Sequence, residues 1–288
     1  MSYRRHLRLR LENDPKNGGR KKLKLVGKDL SGGLPYDLFD LSELEILELS
    51  PERQSCLLYR LEKLPKEIGR LVNLKVLMLD TNELRELPAE LSNLRHLERL
   101  ALSNNRLKTL PHDFSDLQSL QSLHLVNNQF EEFPLEVCYL ESLTFLDVSD
   151  NKLTALPKEV SYMGRLETFL LFFNEIRSLP DNICKMKSLK TLWLGKNKLT
   201  ALPKHFGRLK QLDWGYRQHS SNIDGNPLRK PPLEICRRGP LDIARYFAMK
   251  EGWKDGDPDS DYDENQGRDP EDLEDERKVV RHTHNGQI

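Results

Sequence analysis

The sequence predicts an α/β solenoid in which about nine short repeats stack side by side and build a curved, parallel β-sheet on the concave face. The first observation is a strict 23-residue spacing between six asparagines, Asn82, Asn105, Asn128, Asn151, Asn174 and Asn197. The second is a frame of apolar residues that recurs around each asparagine. The third is that one such unit is too small to bury its own apolar residues, so stacked neighbours must supply the core.

Each unit contains a short strand followed by a turn. In one unit Leu74, Leu77 and Leu79 precede Asn82, with the alternation of a strand. Where the strand ends, backbone groups lose their ladder partners, and a buried amide side chain supplies both donor and acceptor. Replacing an interior asparagine such as Asn151 by alanine is expected to cost roughly 1–3 kcal/mol. The asparagines predicted to be structural are Asn82, Asn105, Asn128, Asn151, Asn174, Asn197 and Asn226.

The pattern Leu-x-x-Leu-x-Leu-x-x-Asn-x-Leu-x-x-Leu-Pro, complete at residues 74–88, resembles the signature of leucine-rich repeat proteins. The 23-residue length with a Leu-Pro pair is similar to the intracellular subgroup that includes Ras-pathway scaffolds, the Ras suppressor and scribble-type polarity proteins. The resemblance implies a leucine-rich repeat solenoid that binds another protein. It also implies small GTPases or phosphatase subunits as partner types.

The repeats are predicted to cover residues 20–238, with two interruptions of the period. Ser50 to Arg60 place eleven residues where the frame expects four, and Asn226 lies six residues beyond its expected position. The proline that ends each apolar frame fixes φ and marks the end of the second extended segment.

Caps are predicted on both sides of the repeats. Residues 1–19 form a basic N-terminal cap, in which Leu7, Leu9 and Leu11 start a β-hairpin-like element. Residues 239–250 form a capping helix that starts at a proline. Residues 251–288 form an acidic tail.

Composition favours a soluble, intracellular protein. The chain opens Met-Ser-Tyr-Arg-Arg-His without an apolar leader core, and no run approaches the length of a membrane span. Cys138, Cys184 and Cys236 share one column in alternate repeats, which puts them about 10 Å apart and too far for a disulfide. We therefore expect a reducing, cytoplasmic location, with the nucleus as the alternative.

Charge is distributed unevenly along the chain, although the formal net charge is zero. Residues 1–30 hold ten Lys or Arg against three acidic residues, and residues 251–276 hold thirteen acidic residues against two basic ones. The acidic segment is expected to be disordered because it lacks an apolar period. The basic start raises the alternative hypothesis of a nucleic-acid or chromatin-associated regulator. Since only Tyr3 supplies an aromatic ring there, the sequence favours a protein partner.

The sequence contains no motif for catalysis, a cofactor or a metal. Phosphate loops, nucleophile elbows, zinc-ligand pairs and dinucleotide fingerprints are missing. A calcium loop starting at Asp255 would put Ser260 where glycine is required and Gln266 where the bidentate glutamate belongs. His282 and His284 supply at most half of a metal site. The chain is therefore predicted to be neither an enzyme nor a cofactor-binding protein.

Apolar side chains of the concave face are concentrated in three neighbouring repeats. The residues between the core leucines point outward because side chains alternate along a strand, and strands about 4.8 Å apart allow them to form one patch. Trp193 is the expected anchor of a protein partner. The alternative is that the rings only pack against one another, which applies most to Phe173. The predicted partner-binding residues here are Phe145, Asp147, Leu170, Phe172, Phe173 and Trp193.

The second interruption supplies two further candidates. Trp214 and Tyr216 lie in the inserted segment 213–221, and loops on a rigid scaffold often carry recognition. Poorly formed repeats next to a cap are the alternative. Taken with the resemblance, the sequence predicts a non-enzymatic protein-interaction module, with a role as a scaffold or adaptor in intracellular signalling.

Overall fold

The strands in the described part of the chain form one sheet. A computed structural model describes residues 7–8, 10–30, 32–51, 59–214 and 221–251. Within these residues nine strands pair in the order of the sequence. β1 runs antiparallel to β2, and each later pair is parallel. The strands are β1 Glu12–Asp14, β2 Arg20–Lys24, β3 Ile46–Glu48, β4 Val76–Met78, β5 Arg99–Ala101, β6 Ser122–His124, β7 Phe145–Asp147, β8 Thr168–Leu170 and β9 Thr191–Trp193.

Equivalent residues of successive repeats face each other across the sheet. Leu77 pairs with Leu100, and Leu100 pairs with Leu123. These middle residues are fully buried in the core, while the residues on either side of them point to the opposite surface, which we call the concave face. A parallel bridge from Trp193 to Asn222 continues the sheet. Among the described residues, the eight parallel strands and this bridge make the predicted nine units.

The return segments form short 3-10 helices that stack from repeat to repeat. From the helix Tyr36–Asp40 to the helix Asp181–Lys185 a proline holds the N-cap position. The carbonyl of Pro65, for example, accepts the Ile68 N–H at 3.1 Å. The sequence pattern did not predict these helices, because five residues are too few to show a helical period. The 3-10 helices are Pro15–Asn17, Gly27–Leu30, Tyr36–Asp40, Lys66–Arg70, Ala89–Asn93, His112–Asp116, Leu135–Tyr139, Lys158–Tyr162, Asp181–Lys185 and Phe206–Arg208.

The N-terminal cap is a β-hairpin whose first strand begins later than predicted. Residues 7–8 lie in a helical turn, and extended pairing starts at Glu12. The Asp14 carboxylate accepts the Lys16 N–H at 2.9 Å and caps the turn that follows. Gly18 then adopts a positive φ of 65°, which a residue without a side chain does readily. The turn that Asp14 and Gly18 close therefore places β1 and β2 directly side by side.

The chain divides into two units, Met1–Ala244 and Arg245–Ile288, and of the second unit only residues 245–251 are described. The first unit holds the whole sheet and the short helix α1, Leu233–Cys236. Helix α2, Pro240–Glu251, begins in the first unit and corresponds to the helix predicted for residues 239–250. In the second unit the rings of Tyr246 and Phe247 lie 5.4 Å apart.

The core of the first unit consists of leucines and a few larger rings. Phe114, Phe130, Phe169 and Phe206 have at most 1 % of their surface exposed. No helix in the described part of the chain has the length and apolar composition needed to cross a lipid bilayer. The predictions that lie outside the described residues concern Leu9, most of the insertion at 50–60, Tyr216, and the tail beyond residue 251 with His282 and His284.

Candidate functional site

A ladder of buried asparagines fixes the end of each strand. The Asn128 amide donates to the carbonyls of Leu102 and Leu125 at 3.0 and 3.1 Å, and its oxygen accepts the Leu107 N–H at 3.0 Å. Since Leu102 belongs to the preceding repeat, each asparagine joins two repeats. The same bonds are made by Asn82, Asn105, Asn151, Asn174, Asn197 and Asn226.

The residue before each regular asparagine has a left-handed backbone. Asparagine and aspartate tolerate this conformation, whereas a bulky side chain is strained in it. Phe173 departs from the pattern because it brings an aromatic ring into this row, and 54 % of its surface is exposed. This exposure argues against the packing-only alternative for Phe173. The row, with φ between 52° and 62°, consists of Thr81, Asn104, Asn127, Asp150, Phe173 and Lys196.

Four of the predicted binding residues lie together on β8, β9 and the turn after β8. The Phe172 ring is central, with its centroid 4.5 Å from that of Phe173 and 6.3 Å from that of Trp193, both edge to face. Leu170 pairs with Trp193 across the strands. Gly195 lies beneath the Phe172 ring, which any Cβ at that position would overlap. We call Leu170, Phe172, Phe173 and Trp193 the Phe172 cluster.

Phe145 lies in a second group. It pairs with Thr168 rather than with Leu170, and its ring centroid lies 4.8 Å from that of His124 with the planes 32° apart. The predicted single patch is therefore two groups of rings on the same face. His124 was not among the predicted binding residues, although its outward position on β6 follows from the repeat.

Asp147 lies between the two groups. It pairs with His124 on one side and with Leu170 on the other. Its carboxylate accepts the Ser149 N–H at 3.0 Å. Burial raises the pKa of Asp147, while the hydrogen bonds from Ser149 oppose that rise. The carboxyl group is thus held in a poorly solvated place beside aromatic rings.

His124 is hydrogen bonded to Ser122, with Oγ and Nε2 2.9 Å apart. Burial, assisted by the positive charge of Arg99, lowers the pKa of His124 to about 4, so the ring is uncharged at neutral pH. A hydroxyl beside an imidazole is the start of a nucleophilic triad, which also requires a carboxylate on the other ring nitrogen. In the described part of the chain no hydrogen bond or ion pair joins His124 to a carboxylate. The pair therefore lacks the orienting group of a triad.

Trp214 packs against the C-terminal end of the first unit. Its Nε1 donates to the Arg237 carbonyl at 3.2 Å, and its ring centroid lies 6.2 Å from that of Phe206. The ring also faces Gly239, where a Cβ would lie 3.1 Å from it. These contacts do not bring Trp214 into the Phe172 cluster, and its predicted role in binding a partner stays a prediction.

Several basic residues near the N-terminus pair with carboxylates. Glu48 bridges Lys22 and Lys24 at 2.7 and 3.0 Å, and Glu98 holds Arg20 at 2.8 Å. Arg8 and Arg10 pair with Glu43 and Asp29 at 3.1 and 2.8 Å. This compensation reduces the positive charge that this end presents to a polyanion.

The described residues offer no metal centre and no reactive thiol. No group of three or more His, Cys, Asp or Glu within them could hold a metal ion. Cys138, Cys184 and Cys236 are free and buried, and burial raises the pKa of the Cys184 and Cys236 thiols to about 12. Protonated thiols in this setting act as small apolar side chains.

Replacing Phe173 by asparagine should raise the midpoint of thermal unfolding by about 2–4 °C, because the variant relieves about 1 kcal/mol of left-handed strain. Asn104 and Asn127 show that the row accepts asparagine. Differential scanning calorimetry measures the midpoint. Phe173→Tyr is the control, since it keeps both ring and strain and should leave the midpoint unchanged. A lower midpoint for the asparagine variant would restore the packing-only alternative.

The fold is a leucine-rich repeat solenoid, as the sequence predicted, and folds of this class generally serve as protein–protein interaction modules. Residues 89–175 match a family described as "Leucine-rich repeat region". No curated protein matches the chain in sequence.

Solved structures of leucine-rich repeat proteins resemble the chain. A leucine-rich repeat protein of Leptospira interrogans is 36% identical, with a TM-score of 0.65, covering 75% of this chain and 52% of its own. An internalin (inlF) of Listeria monocytogenes is 19% identical, with a TM-score of 0.57 and coverages of 73% and 54%, and this likeness concerns the fold alone. The Toll–Spatzle complex of Drosophila gives 28% identity, a TM-score of 0.52 and coverages of 62% and 24%. The chain thus spans about half the length of the first two structures.

Proposed function

We propose that this chain is a protein-interaction module that binds a protein partner through the Phe172 cluster on its concave face. The observation that carries the proposal is the grouping of three aromatic rings and a leucine on β8, β9 and the turn after β8. Contiguous apolar surface of this kind marks interaction sites on soluble proteins, and large aromatic side chains dominate their binding energy. Phe173 is the most exposed ring of the cluster.

The setting that we propose is a scaffold or adaptor in intracellular signalling, in the cytoplasm or the nucleus. This rests on the resemblance to the intracellular subgroup with 23-residue repeats, from which small GTPases or phosphatase subunits follow as candidate partners. The free, buried thiols fit a reducing compartment. The Toll–Spatzle complex is an example of a structurally similar protein in a complex with a partner.

The alternative of a nucleic-acid or chromatin-associated regulator has less support. Arg20, Lys22 and Lys24 are each paired with a glutamate, so fewer cations are available to replace the counterions of a polyanion. The rings of the Phe172 cluster are also accompanied by Asp147, whose negative charge opposes a phosphate backbone.

Affinity capture from cell extract with immobilised wild-type chain and a Phe172→Ala, Trp193→Ala variant tests the proposal. We expect the variant to retain at least tenfold less of any specific partner, because truncating two central aromatic anchors removes more than about 1.4 kcal/mol of binding free energy. Quantitative mass spectrometry of the retained proteins gives the ratio.

Tyr36→Ala is the matched control, since Tyr36 is an aromatic residue with 64 % of its surface exposed on a 3-10 helix away from the concave face. Circular dichroism shows whether each variant is folded. Equal retention by wild type and double variant would contradict the proposal. Loss of folding in the double variant would show that these rings belong to the core.

A further inference from the structure

Asp147 differs from three other carboxylates of the concave face, Glu48, Asp80 and Asp224, because no cation compensates its charge among the described residues. Glu48 pairs with two lysines, and Asp224 pairs with Arg237 at 2.9 Å. Asp80 has Arg99 as a nearby positive charge. Among the described residues Asp147 interacts with Ser149 and with no cation. A poorly solvated carboxylate without a cation is unfavourable, and a cation supplied by a ligand would correct this.

The neighbours of Asp147 define what else such a ligand must carry. Leu170 pairs with Asp147 on the adjacent strand. Phe172 lies two residues further along the chain, just beyond the end of β8 and over Gly195. His124 on the other side is uncharged at neutral pH and does not compete for the carboxylate. A ligand cation on Asp147 would therefore have the apolar side chains of Leu170 and Phe172 on one side. The rings of His124 and Phe145 would lie on the other side.

The spacing of these groups suits an extended peptide. Parallel strands lie about 4.8 Å apart and two residues extend about 6.6 Å along a strand, so side chains offset by two residues on adjacent strands are about 8 Å apart. In an extended peptide, side chains two residues apart lie on one face and are separated by about 6.6 Å. The separation across the strands and the separation along the peptide are therefore similar. A long, flexible lysine or arginine side chain can make up the difference between them.

We propose that the concave face recognises an extended segment of a partner protein that carries a lysine or arginine two residues from a large apolar side chain. The cation pairs with the Asp147 carboxylate, and the apolar side chain packs against Leu170 and Phe172. This rests on the proposed function and names the chemistry of its partner. Nucleic acid is excluded as the occupant by the sign of the charge at Asp147.

Selection from a displayed library of random 12-residue peptides against the full chain tests this specificity. The selected peptides should be enriched in Lys or Arg two residues from Phe, Leu, Ile, Met or Trp. One enriched peptide is then labelled with fluorescein, and its dissociation constant is measured by anisotropy. Asp147→Asn should weaken it at least tenfold, since the variant keeps the acceptor for Ser149 but loses the charge.

Asp150→Asn is the matched control, because Asp150 is an exposed aspartate three residues away and the variant removes the same formal charge. It should change the dissociation constant less than twofold. Thermal unfolding of the Asp147→Asn variant should be no earlier than that of wild type, since no ion pair of the folded state is lost.

The outcomes separate this inference from the proposed function. Peptides that show no preference for a cation, and that bind the Asp147→Asn variant normally but not a Phe172→Ala variant, would overturn the cation specificity and leave the binding surface standing. Equal weakening by Asp147→Asn and Asp150→Asn would also overturn it, because the effect would then be one of net charge. Binding that survives Phe172→Ala would overturn both proposals.

Discussion

Replacing Phe169 by alanine should lower the free energy of unfolding by about 3–5 kcal/mol. Phe169 occupies the inward position of β8, where the neighbouring repeats have leucine, and it is completely buried. Its ring packs edge to face on Phe133, with centroids 6.1 Å apart. Truncation removes the whole ring from a core that stacked repeats on both sides hold in place, so the cavity can collapse only in part. Urea denaturation followed by circular dichroism measures the loss.

Phe169→Leu is the control for this prediction. The variant has leucine at position 169, as the adjacent repeats have at Leu146 and Leu192. It should lower the free energy of unfolding by less than about 1.5 kcal/mol. Equal losses for alanine and leucine would mean that the site needs the ring itself. A loss below about 1 kcal/mol for alanine would show that the repeats close the cavity by moving together.

Replacing Asn128 by alanine should lower the free energy of unfolding by about 1–3 kcal/mol. The Leu107 N–H donates to the Asn128 oxygen at 3.0 Å, and this buried donor would lose its partner. The carbonyls of Leu102 and Leu125 are less affected, because the amides of Asn105 and Asn151 also donate to them. Hydrogen exchange should therefore accelerate at the Leu107 amide in particular, in addition to the lower stability measured in urea.

The adjacent asparagine provides the control. Asn127 is exposed, has a φ of 52° and donates to Asn104 at 2.9 Å. Asn127→Gly keeps the left-handed backbone without strain and should change stability by less than about 0.5 kcal/mol. Comparable losses at positions 127 and 128 would contradict the role assigned to the buried amide.

The repeat frame predicted the fold because its signal is redundant. Leu77, Leu100 and Leu123 recur at one spacing, and an error at one of them would not disturb the register of the others. Asn226 follows a six-residue shift, yet it makes the same bonds to Leu194 and Ile223 as the regular asparagines make. The start of β1 was less predictable, because its pairing with β2 depends on the turn that Asp14 caps and not on the repeat.

The candidate site was predicted as a set of outward positions, and the contacts among them were not. Phe145 turns toward His124 because of side-chain torsions that a repeat pattern does not specify. Gly195 makes room for the Phe172 ring, and this signal was visible in the sequence as a glycine in a column of larger residues. Trp214 packs against segments more than twenty residues away, a tertiary contact that no local pattern encodes.

The asparagine ladder also gives the concave face a regular spacing from one repeat to the next. Because every rung is bonded in the same way, distances along the face come in steps of one strand spacing, about 4.8 Å. Glu48 with its lysines lies on β3 and Asp147 on β7, so the two charged sites are four steps apart. Removing residues 99–121, one whole period, should bring them one step closer while leaving each site's own contacts unchanged. The affinity of a partner that contacts both sites would thus depend on the number of repeats between them.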